Sequence, residues 1–167
     1  MLPEFLHFAE NTAREAGALT LQYFLTDGAK ADYKADDTPV TIADRKAEEL
    51  IRLRIRETYP DHEIVGEEFG ASEGQSEYRW LIDPIDGTKS FIHGVPLFGT
   101  LIGVEYQGTC VIGVCRFPAL HEVVYAATGQ GCWWQQGGAT PVQAKVSEVK
   151  SLDQALFSFT TVSGWER

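Results

Sequence analysis

WLIDPIDGTKSF, Trp80 to Phe91, begins as an apolar run suited to a core strand and then breaks into two carboxylates, a proline and a glycine. Asp83 and Asp86 stand three apart, and Gly87 and Thr88 follow at the predicted start of a short helix. Carboxylates at the lip of a core repel each other and resist desolvation, so a positive charge between them is the simplest remedy. A second acidic pair, Glu67-Glu68, follows the predicted strand His62–Gly66. Hard divalent cations such as Mg²⁺ take oxygen ligands, commonly one or two carboxylates with waters and substrate phosphate. Pro84 stiffens the Asp83–Asp86 step, and the Ile85 carbonyl supplies a third oxygen. The free amides of Gly87 and Thr88 suit an anion. Together these are the parts of metal-assisted phosphate ester hydrolysis, in which cations activate water and neutralise the leaving oxygen. Two plainer readings stand beside this one. Asp-Pro-x-Asp-Gly is also a β-turn sequence, and Glu67-Glu68 alone reads as a solvated loop.

Outward from this stretch, residues 2–25 carry apolar side chains at helical spacing and predict a first helix, closed by Asp27-Gly28. KADYKADDTPV (30–40) reads as a hairpin or a mobile loop. A second helix runs from Thr41 to the residues before Tyr59-Pro60, its charges read as a solvated face. Asp44 in its first turn either complements the helix dipole or aims a carboxylate at a cleft. After Trp80–Ile82, a strand that ends at Asp83, and a short helix from Thr88 broken by Gly94 and Pro96, the period becomes two-fold. Gly99–Tyr106 and Thr109–Arg116 form a predicted hairpin about Gln107-Gly108. Strands follow at Glu122–Ala127, Val142–Ala144 and Ala155–Thr160, with glycine-punctuated GQGCWWQQGG after the first. Helices first and a largely antiparallel sheet after them give an α+β fold. The apolar run near the end reads as though a second half should follow.

The chain has 167 residues, 44% hydrophobic and 23% charged, which is enough for one globular domain over 1–167. Its net charge of −10 argues against a nucleic-acid polymer as partner. No apolar run reaches the roughly 20 residues of a membrane helix, and the start lacks a basic, then apolar, leader. Cys110, Cys115 and Cys132 are read as reduced packing residues of a cytoplasmic protein. Their spacing argues against a thiolate metal site. His93 and His121 are read as structural or exposed, Trp133-Trp134 as packing a sheet face or a subunit contact, and Gly129-Gln130-Gly131 as a turn.

Gly66-Glu67-Glu68, the Trp80–Phe91 stretch and Val40-Thr41-Ile42-Ala43-Asp44 closely resemble the inositol monophosphatase superfamily of Mg²⁺-dependent, lithium-sensitive phosphatases, over essentially the whole chain. Lys89-Ser90-Phe91 with Gly94 and Pro96 to Gly99 is most similar to the histidinol-phosphate phosphatase branch. The resemblance implies a layered α/β sandwich, Mg²⁺ (or Mn²⁺) as cofactor, a small phosphorylated metabolite as substrate and a homodimer. Residue by residue, it assigns metal binding to Glu67, Asp83, the Ile85 carbonyl and Asp86. Asp44 and Thr88 would orient or activate water, with Glu68 beside the site completing the catalytic group. Gly87 and Thr88 would hold the phosphate, and Lys89 either reaches a substrate oxygen or stays exposed. L-Histidinol phosphate is the first-choice substrate; inositol 1-phosphate or a 3′-phosphoadenosine nucleotide is the alternative, and a non-catalytic metal-binding remnant is the rival of another class. One departure matters. The family carries a further metal-binding aspartate in a Trp-Asp pair of a C-terminal α/β half, and no such pair occurs here. A longer parent chain or a truncated form is therefore expected, with weak or no turnover by residues 1–167 alone.

Overall fold

The computed structural model describes residues 2–34 and 39–156. Helix α1 (Leu2–Leu21) and helix α2 (Ile42–Thr58) pack against an eight-stranded sheet. Strands β1 (Ala31–Tyr33) and β2 (Pro39–Thr41) form a separate antiparallel pair, which satisfies the hairpin reading. The large sheet contains β3 (Glu63–Gly66), β4 (Gly70–Ser72), β5 (Tyr78–Asp86), β6 (Gly99–Tyr106), β7 (Thr109–Phe117), β8 (Glu122–Ala127), β9 (Gly131–Gln136) and β10 (Val142–Ala144). Its order is β10-β9-β8-β7-β6-β5-β3-β4, and only β3 and β5 run parallel. Helix α3 (Thr88–Ile92) follows β5 directly.

Alternation along the strands sends every second side chain toward the helices. Trp80, Val104 and Ile112 form one row across β5, β6 and β7, and Ile82, Ile102 and Val114 the next; all six are buried. Ala9, Ala13 and Ala16 of α1 are wholly buried, and their small size lets the helix lie close to this surface. Trp80 is capped by an aromatic group containing Phe5, Phe8, Tyr59 and Tyr78, and its indole N–H donates to His62 Nδ1 at 2.9 Å. A second, smaller core of Ala29, Ala43, Ile85, Phe91 and Phe98 ties the start of α2 and all of α3 to the end of β5. That core sets the acidic residues against one another.

Several expectations need correction. Helix α1 stops at Leu21, because Tyr23 and Phe24 both bond back to the Thr20 carbonyl and Leu25 turns the chain at φ 60°. The aromatic ring of Phe24 then packs on Phe91 and Phe98. Strand β5 does not end at Asp83; it runs to Asp86, with a register irregularity between the two acids. Pro84 lies in that irregularity, where a missing N–H breaks no ladder bond. The glycine-punctuated segment after β8 contains β9, paired on both sides. Strand β4 was not anticipated. Ala155 and Leu156 are not in a strand, and the rest of the expected strand 155–160 lies outside the described residues. The charges of α2 are not all solvated: Asp44, Glu48 and Arg52 are buried. The β6–β7 hairpin matches the reading, and its turn residues Gln107 and Gly108 have φ 50° and 79°, the two positive values that a tight hairpin turn requires.

Candidate functional site

Parallel pairing of β3 with β5 brings the two acidic stretches together. Gly66 is opposite Ile82, and the Glu67 amide donates to the Ile82 carbonyl at 3.1 Å. Glu67, just past the end of β3, and Asp83, within β5, therefore sit at the same level. Asp83 follows Ile82 and faces away from the helices. Its Oδ1 is buried without a hydrogen-bond partner. Burial, aided by the Glu67, Asp86 and Asp44 charges and opposed by a bond from the Ile85 amide, pushes the Asp83 carboxyl up to about 7. Glu67, Asp44, Asp83 and Asp86 thus share one electrostatic neighbourhood.

Asp44 caps its helix with one oxygen and faces Thr88 with the other. Its Oδ2 accepts from the Thr41 amide at 2.7 Å and the Thr41 hydroxyl at 2.6 Å, closing a capping box at the start of α2. Its Oδ1 faces the Thr88 hydroxyl at 3.3 Å. That hydroxyl also lies 3.0 Å from the Ile85 carbonyl, so one proton serves two acceptors. Burial raises the Asp44 pKa against the hydrogen bonds from Thr41. Gly87 precedes α3 at φ 87°, a left-handed conformation that fits glycine, and a Cβ there would meet the Leu97 carbonyl at 3.1 Å. Asp86 is exposed. Lys89 lies in α3, where its carbonyl meets His93 Nδ1 at 2.7 Å.

Three residues that sequence reasoning missed hold the acidic turn. Lys34 Nζ bridges Glu67 Oε1 and Glu68 Oε1, at 2.8 Å each. Burial pulls its pKa down, but the bonds to the two glutamates outweigh this and raise it. Glu68 has a buried side chain, and desolvation raises its carboxyl against the pull of Lys34. Glu48 and Arg52, one turn apart on α2, bond at 2.7 Å beneath the same turn. Their signal was available: with Asp44 they fall four apart on the apolar stripe of α2, alongside Ala47, Ile51 and Ile55. No comparable signal marks Lys34.

The oxygens available to a cation here are Glu67, Asp83, Asp86 and the Ile85 carbonyl. Among the described residues, no three His, Cys, Asp or Glu side chains are assembled closely enough to hold an ion as they stand. The Lys34 ammonium supplies the positive charge at Glu67, and the orphaned Asp83 oxygen has no such partner. A hard cation fits that donor set in charge and chemistry. His93 closes α3 and His121 turns the chain after Pro118–Leu120 at φ 56°, and both are exposed. The indole N–H groups of Trp133 and Trp134 bond to the Gln130 carbonyl and to Glu122.

Known proteins resemble this chain in sequence and in fold. The sequence is 45% identical over 158 residues to a histidinol-phosphatase of Chlorobaculum parvum, covering 95% of this chain and 60% of the relative. It is 40% identical to the histidinol-phosphatase of Mycobacterium tuberculosis, covering 93% and 60%. In three dimensions it is similar to the extragenic suppressor protein suhB of Bartonella henselae, with TM-score 0.76, 30% identity, 86% of this chain and 54% of that one. The Thermotoga maritima IMPase gives TM-score 0.74 and 32% identity, covering 87% and 54%. The chain therefore spans about 60% of the length of the curated relatives it matches. The family model described as inositol monophosphatase matches residues 1–166, and the chain belongs to the inositol monophosphatase family.

Proposed function

We propose that this chain carries the metal- and phosphate-binding half of a phosphoric monoester hydrolase whose preferred substrate is L-histidinol phosphate. The observation that carries the reading is the buried, unpartnered Asp83 oxygen in the field of Glu67, Asp86 and Asp44. Such a carboxylate is expensive to hold ionised unless a cation joins it. Mg²⁺, with Mn²⁺ as a substitute, is the assigned ion, held by Glu67, Asp83, the Ile85 carbonyl and Asp86. When bound, it would activate water and offset charge on the phosphoryl oxygens.

The chain's own residues supply the remaining parts. The Thr88 hydroxyl, within reach of Asp44, orients the attacking water, and Asp44 holds the proton that the water gives up. Glu68 stands beside them and keeps Lys34 in place. The Gly87 and Thr88 amides receive the phosphate, and Lys89 approaches a substrate oxygen. Histidinol phosphate is preferred because relatives bearing the histidinol-phosphatase name match at 37–45% identity, above those named for inositol phosphate at 34–36%. Homodimer formation, lithium sensitivity and a cytoplasmic setting rest on the family likeness alone.

Residues 1–167 are assigned to one α+β unit. Its sheet turns Leu81, Leu101, Val124 and Trp134 away from the helices, and Val146, Leu152 and Leu156 beyond β9 are almost wholly exposed. Weak or no turnover is expected from this unit alone. The test measures Mg²⁺ binding by calorimetry and phosphate release from L-histidinol phosphate, inositol 1-phosphate and a 3′-phosphoadenosine nucleotide. Cation binding with slow release, fastest from histidinol phosphate, is expected. Absence of cation binding refutes the site, and faster release from inositol 1-phosphate refutes the substrate. Binding without any release from a chain extended to the full length of its relatives favours the non-catalytic alternative.

A further inference from the structure

We infer that Glu48, which belongs to none of the acidic motifs, is a positioning residue that holds the Glu67–Glu68 turn in the conformation a cation needs. Its carboxylate is wholly buried. One oxygen accepts from the Glu68 amide at 2.7 Å, and the other accepts from the Phe69 amide at 3.2 Å and from Arg52 Nε at 2.7 Å. Arg52 in turn donates to the Gly70 carbonyl. The turn from Gly66 to Gly70 is therefore held by backbone bonds to two side chains of α2, from below. The Glu67 side chain is left outside this set of bonds, where Lys34 meets it.

Gly66 gives an independent indication. A Cβ at Gly66 would come within 1.9 Å of Glu48 Oε1 and 2.8 Å of an Arg52 nitrogen. That approach leaves room for glycine alone, so the Gly-Glu-Glu order reflects the buried pair beneath it as well as the two acids that follow. Because α2 also carries Asp44, one rigid helix sets both the acidic turn and the carboxylate that faces Thr88. Partners that fix a ligand from behind typically change metal affinity by about 10–100-fold when removed.

This inference rests on the proposed metal site, and its test separates the two. Glu48→Asp keeps a negative charge near Arg52 but is one carbon too short to reach both amides. Hydrogen exchange of the Glu68 and Phe69 amides is measured on the full chain without metal, and Mn²⁺ affinity is measured by calorimetry on the same samples. Faster exchange at those two amides, with exchange in β6 and β7 unchanged, and at least a tenfold loss of Mn²⁺ affinity are expected. Gly66→Ala displaces Glu48 from the opposite side and should give the same pair of effects. Combining it with Glu48→Asp should add little, since both break one contact. Unchanged exchange in Glu48→Asp, or unchanged Mn²⁺ affinity despite faster exchange, overturns the inference. A wild-type chain that binds no Mn²⁺ while Glu48→Asp still loosens the turn places the failure in the metal site instead.

Discussion

Replacing Asp83 with asparagine should stabilise the metal-free protein at alkaline pH and destabilise it relative to wild type once Mg²⁺ is present. The Asp83 carboxyl is raised from 3.8 to about 7, a rise of about 3 pH units. Each unit corresponds to about 1.4 kcal/mol, which puts an upper bound of about 4 kcal/mol on the cost of its ionised form. Asp83 keeps some contact with solvent, and halving for screening leaves about 2 kcal/mol. Between about pH 4 and 7 the folded state binds a proton at Asp83 that the unfolded chain has released, so stability falls as pH rises. It is fully present below about pH 4 and lost above about pH 7. Asparagine does not ionise and escapes this loss. Urea unfolding in EDTA, followed by tryptophan fluorescence, should find Asp83→Asn more stable at pH 8 by about 2 kcal/mol, with the gap closing near pH 4. Saturating Mg²⁺ should reverse the order at pH 8, because the ion stabilises only the form that binds it. An Asp83→Asn protein less stable than wild type in EDTA at pH 8, or a gap independent of pH, would refute the argument.

Lys34→Gln removes the ammonium that occupies Glu67 and Glu68, so Mn²⁺ affinity should rise severalfold in calorimetry while the metal-free protein loses stability. Trp80→Phe leaves a gap in the main core and His62 Nδ1 without its donor; a loss of about 2–3 kcal/mol is expected in urea unfolding. Thr41→Ala breaks the capping box at α2 and should cost about 1 kcal/mol, with a further effect on phosphate release through the freed Asp44. Gly87→Ala forces a side chain into a left-handed conformation against the Leu97 carbonyl, and a thermal melt should record a loss of about 1–2 kcal/mol.

Strong periodicity and turn chemistry made most of the fold legible. The β6–β7 hairpin followed from alternation flanking Gln107-Gly108, and α2 followed from its apolar stripe and the Pro60 stop. Misreadings cluster where tertiary contacts override local signals. Asp83-Pro84-Ile85-Asp86 looks like a turn, yet Ile85 is drawn into the second core and β6 pairs with both ends of the segment, so the strand continues through an irregularity. Gly131 at the head of β9 suggested a loop, but Gly131 to Gln136 pair with β8 and Cys132 to Trp134 also pair with β10. At the site, proximity of the two acidic stretches was legible from their place after strands; the parallel register that joins them was not. Lys34 was invisible because its contacts bridge 33 and 34 positions of sequence, and nothing local marks such a partner.

The wholly buried Glu48 and the half-buried Asp83 illustrate how carboxylates differ within one small region. Glu48 receives the Glu68 and Phe69 amides and the Arg52 guanidinium, so its charge is compensated inside the protein. A buried pair of this kind adds little net stability compared with apolar residues of the same shape. What it provides is geometry, since removing either partner strands the other. Asp83 has the opposite balance: one of its oxygens is buried with no donor, and the charges nearest to it are Glu67, Asp86 and Asp44. The Ile85 amide offsets only part of the cost of this arrangement. The same helix that satisfies Glu48 also holds Asp44 in place, so rigidity and unmet charge are supplied together. A rigid frame around an uncompensated carboxylate is the arrangement in which an added cation gains most, because little ordering remains to be done when it arrives.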